Sequence, residues 1–181
     1  MSNLTVAVDL PAGRLIDPSV EIHENATNVV GLATIGPLTD LLQIINLAAL
    51  TNTYMYGTQQ VAWLYVTAAS NQPSAFLRVR LFDSIGSLPD GTLVTNLNEQ
   101  IGRVVVVGQE PLLEGFISSN RQPALALYAL VGTTNVVESS ASLAEPVSWL
   151  QHEQITMTNL QRVLGPITLP QGQRFFRAWR P

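Results

Sequence analysis

Apolar and polar positions alternate at the start of the chain, where Leu4, Val6, Val8 and Leu10 are separated by Thr5, Ala7 and Asp9. A period of two puts one set on each face of an extended strand, one toward a core and one toward solvent or a neighbour. Short apolar runs punctuated by Gly, Pro, Asn and Ser recur at 28–34, 53–57, 60–68, 75–83, 92–96, 102–108, 112–118, 123–133, 155–159 and 174–180. Regular short strands with turn residues between them are the pattern of an all-β chain. They predict an antiparallel β-sandwich, most simply of single jelly-roll type.

The turns carry their own chemistry. Leu10-Pro11-Ala12-Gly13, Leu88-Pro89-Asp90-Gly91 and Leu169-Pro170-Gln171-Gly172 share the form Leu-Pro-x-Gly. Proline presets φ and glycine accepts the strained position that follows, so each predicts a chain reversal. Ser70–Ala75 and Ser119–Ala124 are similar polar turns leading into long strands.

One segment departs from the period of two. In 38–50, LTDLLQIINLAAL, the residues Leu38, Leu41, Leu42, Ile45 and Ala49 fall at helical spacing after Gly36-Pro37, with Thr39 or Asp40 placed to cap. This predicts one short buried helix near residues 39–51. The polar stretch Thr133–Glu145 reads as a long loop with a short embedded strand, open to interaction. No low-complexity linker divides the 181 residues, which predicts a single β-sandwich domain over 1–181.

Charge changes the picture. Only 12% of the residues are charged and 46% are hydrophobic, with a mean hydropathy of +0.23. Soluble domains carry about 25% charged residues, and a free particle keeps its surface wet with mixed charge. So spare a complement implies that other protein covers much of the exterior, most simply further copies of the chain. No run of about 18–20 apolar residues is present, so membrane insertion is not expected. All nine basic residues are arginine, they are scattered, and the net charge is -4. A phosphate-neutralising patch is missing, so direct nucleic-acid binding is not expected either. Without cysteine there is no disulfide framework and no thiolate chemistry. The first 30 residues lack a charged start and apolar run, which predicts either use without Sec export or a processed chain with an added Met.

The residue types that carry catalysis are sparse. His23 stands in Glu21-Ile22-His23-Glu24, where Glu24 falls on the opposite strand face from Glu21 and His23, a poor arrangement for a common ion. His152 stands in Gln151-His152-Glu153-Gln154, and neither matches the zinc helix motif. A Gly-x-Ser-x-Gly elbow and glycine-rich phosphate loops are missing, and no lysine can form a Schiff base. A glycosidase needs two carboxylates about 5–10 Å apart across a cleft; the 13 here are scattered, and Glu110 or Glu114 with Glu153 is an example of a pair that strands could bring together. No catalytic, cofactor-binding or metal-binding residue is expected. Trp63, Trp149, Trp179, Tyr54, Tyr56, Tyr65 and Tyr128 can serve as a sugar platform, but on strands such residues are core plugs or interface anchors.

The tail from Tyr128 to Pro181, with Gly132-Thr133-Thr134-Asn135, Trp149 and Arg174–Arg180, resembles the closing β-sandwich modules of some secreted bacterial surface proteins. It covers under a third of the chain, through generic strand and turn residues. That resemblance implies an extracellular binding or adhesion module or filament subunit. Composition points instead to a non-enzymatic structural subunit that self-assembles, such as a viral or phage capsid, coat or decoration protein located in the virion. A carbohydrate-acting enzyme on a β-sandwich is the third alternative. The expected contact residues are Leu4, Val6 and Val8 of the first strand, Arg78 and Arg80 on one strand face, and Phe175, Phe176, Arg177, Trp179 and Arg180 in the tail. Phe175, Arg177 and Trp179 alternate with Phe176, Ala178 and Arg180, so this terminal strand should be covered on both faces.

Overall fold

A computed structural model describes residues 1–26, 32–37, 42–49, 54–55, 60–95, 97–167 and 173–181. The protein is nearly all β, with several antiparallel sheets; the one helical element among the described residues is a 3-10 turn at Glu24–Ala26. The chain divides into two compact units, residues 1–70 with 76–104, and residues 71–75 with 105–181.

The first unit is built on β1 (Asn3–Asp9), β2 (Leu15–Ile22), β3 (Leu32–Pro37), β4 (Leu42–Ala48), β5 (Ala62–Ala68), β6 (Ala75–Ser87), β7 (Leu93–Val94) and β8 (Gly102–Val106). Its main sheet runs β3-β4-β1-β6-β7, and β8 also pairs with β6. The alternating segment read from the sequence is therefore its central strand. Asn3 to Asp9 are laddered to Ala48 to Leu42 on one side and to Ser87 to Arg80 on the other. A bulge interrupts the second ladder, where Asp83 takes φ of 50°, and the freed Ser84 N–H donates to Glu99 Oε1 at 2.6 Å. Strands β2 and β5 form a separate antiparallel pair.

The helix predicted near 39–51 is not there: Leu42–Ala48 is a strand, and 38–41 and 50–51 lie outside the described residues. Its apolar spacing fits both periods, and position in the sheet decides. β4 is held on both edges, by β1 and by β3, and buries Ile45 and Leu47 while Asn46 between them is exposed. The adjacent β-branched pair Ile44-Ile45 also suits a pleated surface better than a helix. Of the Leu-Pro-x-Gly turns, 10–13 joins β1 to β2 and 88–91 joins β6 to β7, with Gly13 and Gly91 at φ of 66° and 85°. The third, at 169–172, lies outside the described residues, as does most of the run predicted at 53–57.

The second unit contains β9 (Leu112–Ile117), β10 (Pro123–Tyr128), β11 (Thr134–Ser140), β12 (Leu150–Thr156), β13 (Gln161–Leu164) and β14 (Phe175–Trp179). Two three-stranded antiparallel sheets, ordered β13-β10-β9 and β12-β11-β14, supply one core. Leu125, Leu127, Val137, Ile155, Met157 and Leu164 are its buried members, with Leu113, Phe176 and Ala178 packed against them. Segment 71–75 belongs to this unit because Ser74 Oγ accepts the Gly108 N–H at 2.7 Å and donates to the Glu110 carbonyl. A side chain at Gly108 would collide with the Gln72 carbonyl, so glycine is required there.

Within the segment read as a long loop with a short embedded strand, 133–145, residues 134–140 form β11, the middle strand of its sheet, and it is buried rather than open. Val137 is fully buried, and so, nearly, are the polar residues Asn135, Ser139 and Ser140. Hydrogen bonds offset much of this burial: Asn135 Nδ2 donates to Thr133 Oγ1 at 3.0 Å, Ser140 Oγ to the Ser142 carbonyl at 2.7 Å, and Arg174 Nη1 to Ser139 Oγ at 3.1 Å, while Asn135 Oδ1 has no partner among the described residues.

Candidate interaction surfaces

Within the first unit, the β2–β5 pair has an inner and an outer face. The register Val20↔Leu64 and Ile22↔Ala62 sets one face, and Ser19↔Tyr65 and Glu21↔Trp63 set the other. The inner face looks onto the main sheet across a cleft of about 470 Å³, lined by Leu4, Val6, Ile45, Leu47 and Val79 on one side and Val20, Ala62 and Leu64 on the other. The segment Gln100-Ile101-Gly102 borders it, and Gln100 is the one polar side chain in its lining among the described residues. Sealed and empty, a void of that size would cost on the order of 10 kcal/mol at about 24 cal/mol per Å³. That is comparable to the whole stability of a domain.

The outer face carries aromatic residues. Trp63 and Tyr65 are 46% and 47% exposed, and Ile16, paired opposite Thr67, is 39% exposed. The Trp63 ring lies 5.3 Å from the ring of the buried His23, whose N–H donates to the Val61 carbonyl at 3.0 Å. His23 is thereby a wall beside Trp63, and among the described residues no three His, Cys, Asp or Glu side chains gather to hold a metal.

Each contact residue expected from the sequence now has a position. Val8 is fully buried, and Leu4 and Val6 line the cleft, so this set faces the interior of its own unit. Arg78 and Arg80 are exposed on β6, alternating with buried Leu77 and Val79. They stand in an arginine–aromatic row: the Arg80 guanidinium lies 5.9 Å from the Phe82 ring, and Arg103 lies 5.0 Å from that of Phe76. Such pairs help to hold planar cations at a surface.

In the tail, Phe176 and Ala178 pack into the core of the second unit. The other face of β14 presents Phe175, Arg177 and Trp179. Arg177 is fixed twice, by Glu138 at 2.7 Å and by the Trp149 ring at 4.2 Å, while Trp179 stays 41% exposed. Arg180 Nη1 donates to Gln109 Oε1 at 3.3 Å. Thus one face of this strand is covered by its own unit, where the sequence pattern suggested cover on both.

Of the carboxylates considered for glycoside chemistry, Glu114 and Glu153 already have side-chain partners. Glu114 Oε2 accepts the Tyr128 hydroxyl at 3.0 Å, and that oxygen accepts Gln161 Nε2 at 3.1 Å, forming a row across β9, β10 and β13. Glu153, on β12 of the other sheet, is paired with Arg162 at 3.2 Å. The sequence did not reveal the Trp63–Tyr65 face as an outer one. The alternation in Ala62–Ala68 was readable, but both faces of that strand carry large residues, so the pattern alone leaves inside and outside undecided. No protein-family model matches the chain, and a search of the curated proteins finds none similar to it.

Proposed function

We propose that the chain is a non-enzymatic structural subunit that associates with copies of itself, in the manner of a viral or phage coat or decoration protein, on a sandwich of jelly-roll type. The observation that carries this reading is the outer face of the β2–β5 pair. Ile16, Trp63 and Tyr65 are each more than a third exposed on one face of a chain with only 12% charged residues. Isolated exposed apolar residues are ordinary; several together on one sheet face mark a contact surface. A standard interface buries about 800 Å² on each partner, and aromatic side chains supply most of its energy. Arg78 and Arg80 would steer the approach of an acidic neighbour more than they would strengthen the contact.

Light scattering on the eluting protein and negative-stain microscopy test this. The expected result is concentration-dependent formation of regular oligomers, shifted toward smaller species by Trp63→Ser with Tyr65→Ser. A species that stays single at high concentration sinks the reading. The same aromatic face also favours the second reading, a sugar-binding adhesion module, because Ser19 and Glu21 lie beside the rings as hydrogen-bonding groups. Saturable binding to a glycan panel, lost in the same double variant while oligomer size is unchanged, would select it.

A further inference from the structure

We propose that the cleft of the first unit is a binding site for an uncharged, mainly aliphatic small molecule, such as a medium-chain alcohol or a neutral acyl chain. The volume of about 470 Å³ lies within the range of small-molecule sites, roughly 300–1,000 Å³, and far above the water-sized voids of ordinary interiors. Water does not fill it well. Ordered water needs two to four polar partners, and among the described lining residues only the Gln100 side chain offers any. Among the described residues the lining also contains no arginine, aspartate or glutamate to serve as a counter-ion for a charged ligand. What remains is an apolar body with at most one neutral polar end, placed near Gln100 at the border where the side chain is exposed.

The walls suit such a guest. Leu4, Ile45, Leu47, Leu64 and Leu81 give it an aliphatic surface, and the shorter Val6, Val20, Ala62 and Val79 among them leave a slot that the two facing sheets do not close. The stiff χ1 of valine keeps it shaped. Tight strand ladders hold the main-sheet wall, since β1, β4 and β6 are hydrogen-bonded in series. This site is separate from the outer aromatic face: Leu64 and Ala62 point into the cleft, while Trp63 and Tyr65 point away.

Titration with the uncharged dye N-phenyl-1-naphthylamine, displaced by 1-decanol or by decanoate, tests the assignment. The expected result is one dye bound per chain, displaced by decanol at concentrations at least tenfold lower than by decanoate at pH 8. Ala62→Phe and, separately, Val79→Leu should weaken dye binding at least tenfold and about threefold. Trp63→Ser on the outer face should leave it unchanged. Circular dichroism identifies any variant that has not folded, and the wild-type alcohol-to-acid ratio decides the matter without variants. No saturable dye binding, or equal displacement by acid and alcohol, overturns the proposal. Binding by isolated subunits that disappears on their association also overturns it, because the cleft would then be a socket for a second copy. Dye binding by a protein that never associates would uphold this site while sinking the structural-subunit reading.

Discussion

The interiors of the two units are closed in different ways. In the second, Leu125, Leu127, Val137, Ile155 and Met157 meet between two three-stranded sheets and are almost wholly buried. In the first, two sheets with equally apolar inner faces leave a cleft of about 470 Å³. Hydrophobicity does not separate them, since leucine and isoleucine line both. The second unit adds Met157 and Phe176 to span its gap, whereas the described lining of the cleft has no methionine or aromatic side chain. Closure of a β core therefore depends on matched volume across facing strands, which a hydrophobic pattern does not specify.

The largest expected effect is in the closed interior: Leu127→Ala should cost about 2–5 kcal/mol in urea unfolding, since the lost methyl groups leave a cavity. A loss below about 1 kcal/mol would show that this core is not the tight one. The sharpest contrast uses one kind of change in both units. Val137→Leu should overpack and cost about 1–3 kcal/mol, while Val79→Leu, facing the cleft, should raise stability by about 0.5–2 kcal/mol. Equal penalties for the two would erase the difference between the interiors.

Smaller effects probe the polar rows. Tyr128→Phe deletes the hydroxyl shared by Glu114 and Gln161 and should cost about 1 kcal/mol by thermal unfolding. Glu153→Gln should cost about 0.2–1 kcal/mol, because its pair with Arg162 is half exposed and screened by water. Smallest of all is Asp90 in the β6–β7 turn. The Thr92 N–H donates to its carboxylate at 2.9 Å and holds the pKa below the ordinary aspartate value of 3.8. That stabilisation is fully present above the ordinary value and is lost as pH falls through the lowered one. An NMR titration should show a midpoint below 3.8 that Thr92→Pro, which lacks the N–H, moves upward.

Much of the fold was legible in the chain. The runs at Leu4–Leu10, Ala75–Asp83, Leu112–Ser118 and Arg174–Arg180 coincide with β1, β6, β9 and β14 to within a few residues. β2 was not readable because Pro18 ordinarily argues against a strand interior. The structure accommodates it at a bulge between Ile16 and Ser19, beside Asp17 at φ of 50°. A strand within 133–145 was legible, but the burial of β11 was hidden by its polarity: Asn135, Ser139 and Ser140 look solvated in one dimension and are buried in three. β4 was misread because seven apolar-rich residues fit two periods, and only the flanking strands break the tie. For the surfaces, residue types were visible but their sides were not. Val8 and Trp63 both sit on apolar strands, yet one is sealed inside and the other half open.

The ladder between β1 and β6 has a consequence for how the molecule is made. Asn3 finds its partner Ser87 84 residues further on, whereas β9 and β10 meet across the short turn Ser118–Gln122. Ribosomes add about 5–20 residues per second, so β1 emerges roughly 4–17 s before its second neighbour exists. During that interval a long apolar edge is unclaimed, and a chaperone that grips extended strands has a defined window in which to guard it.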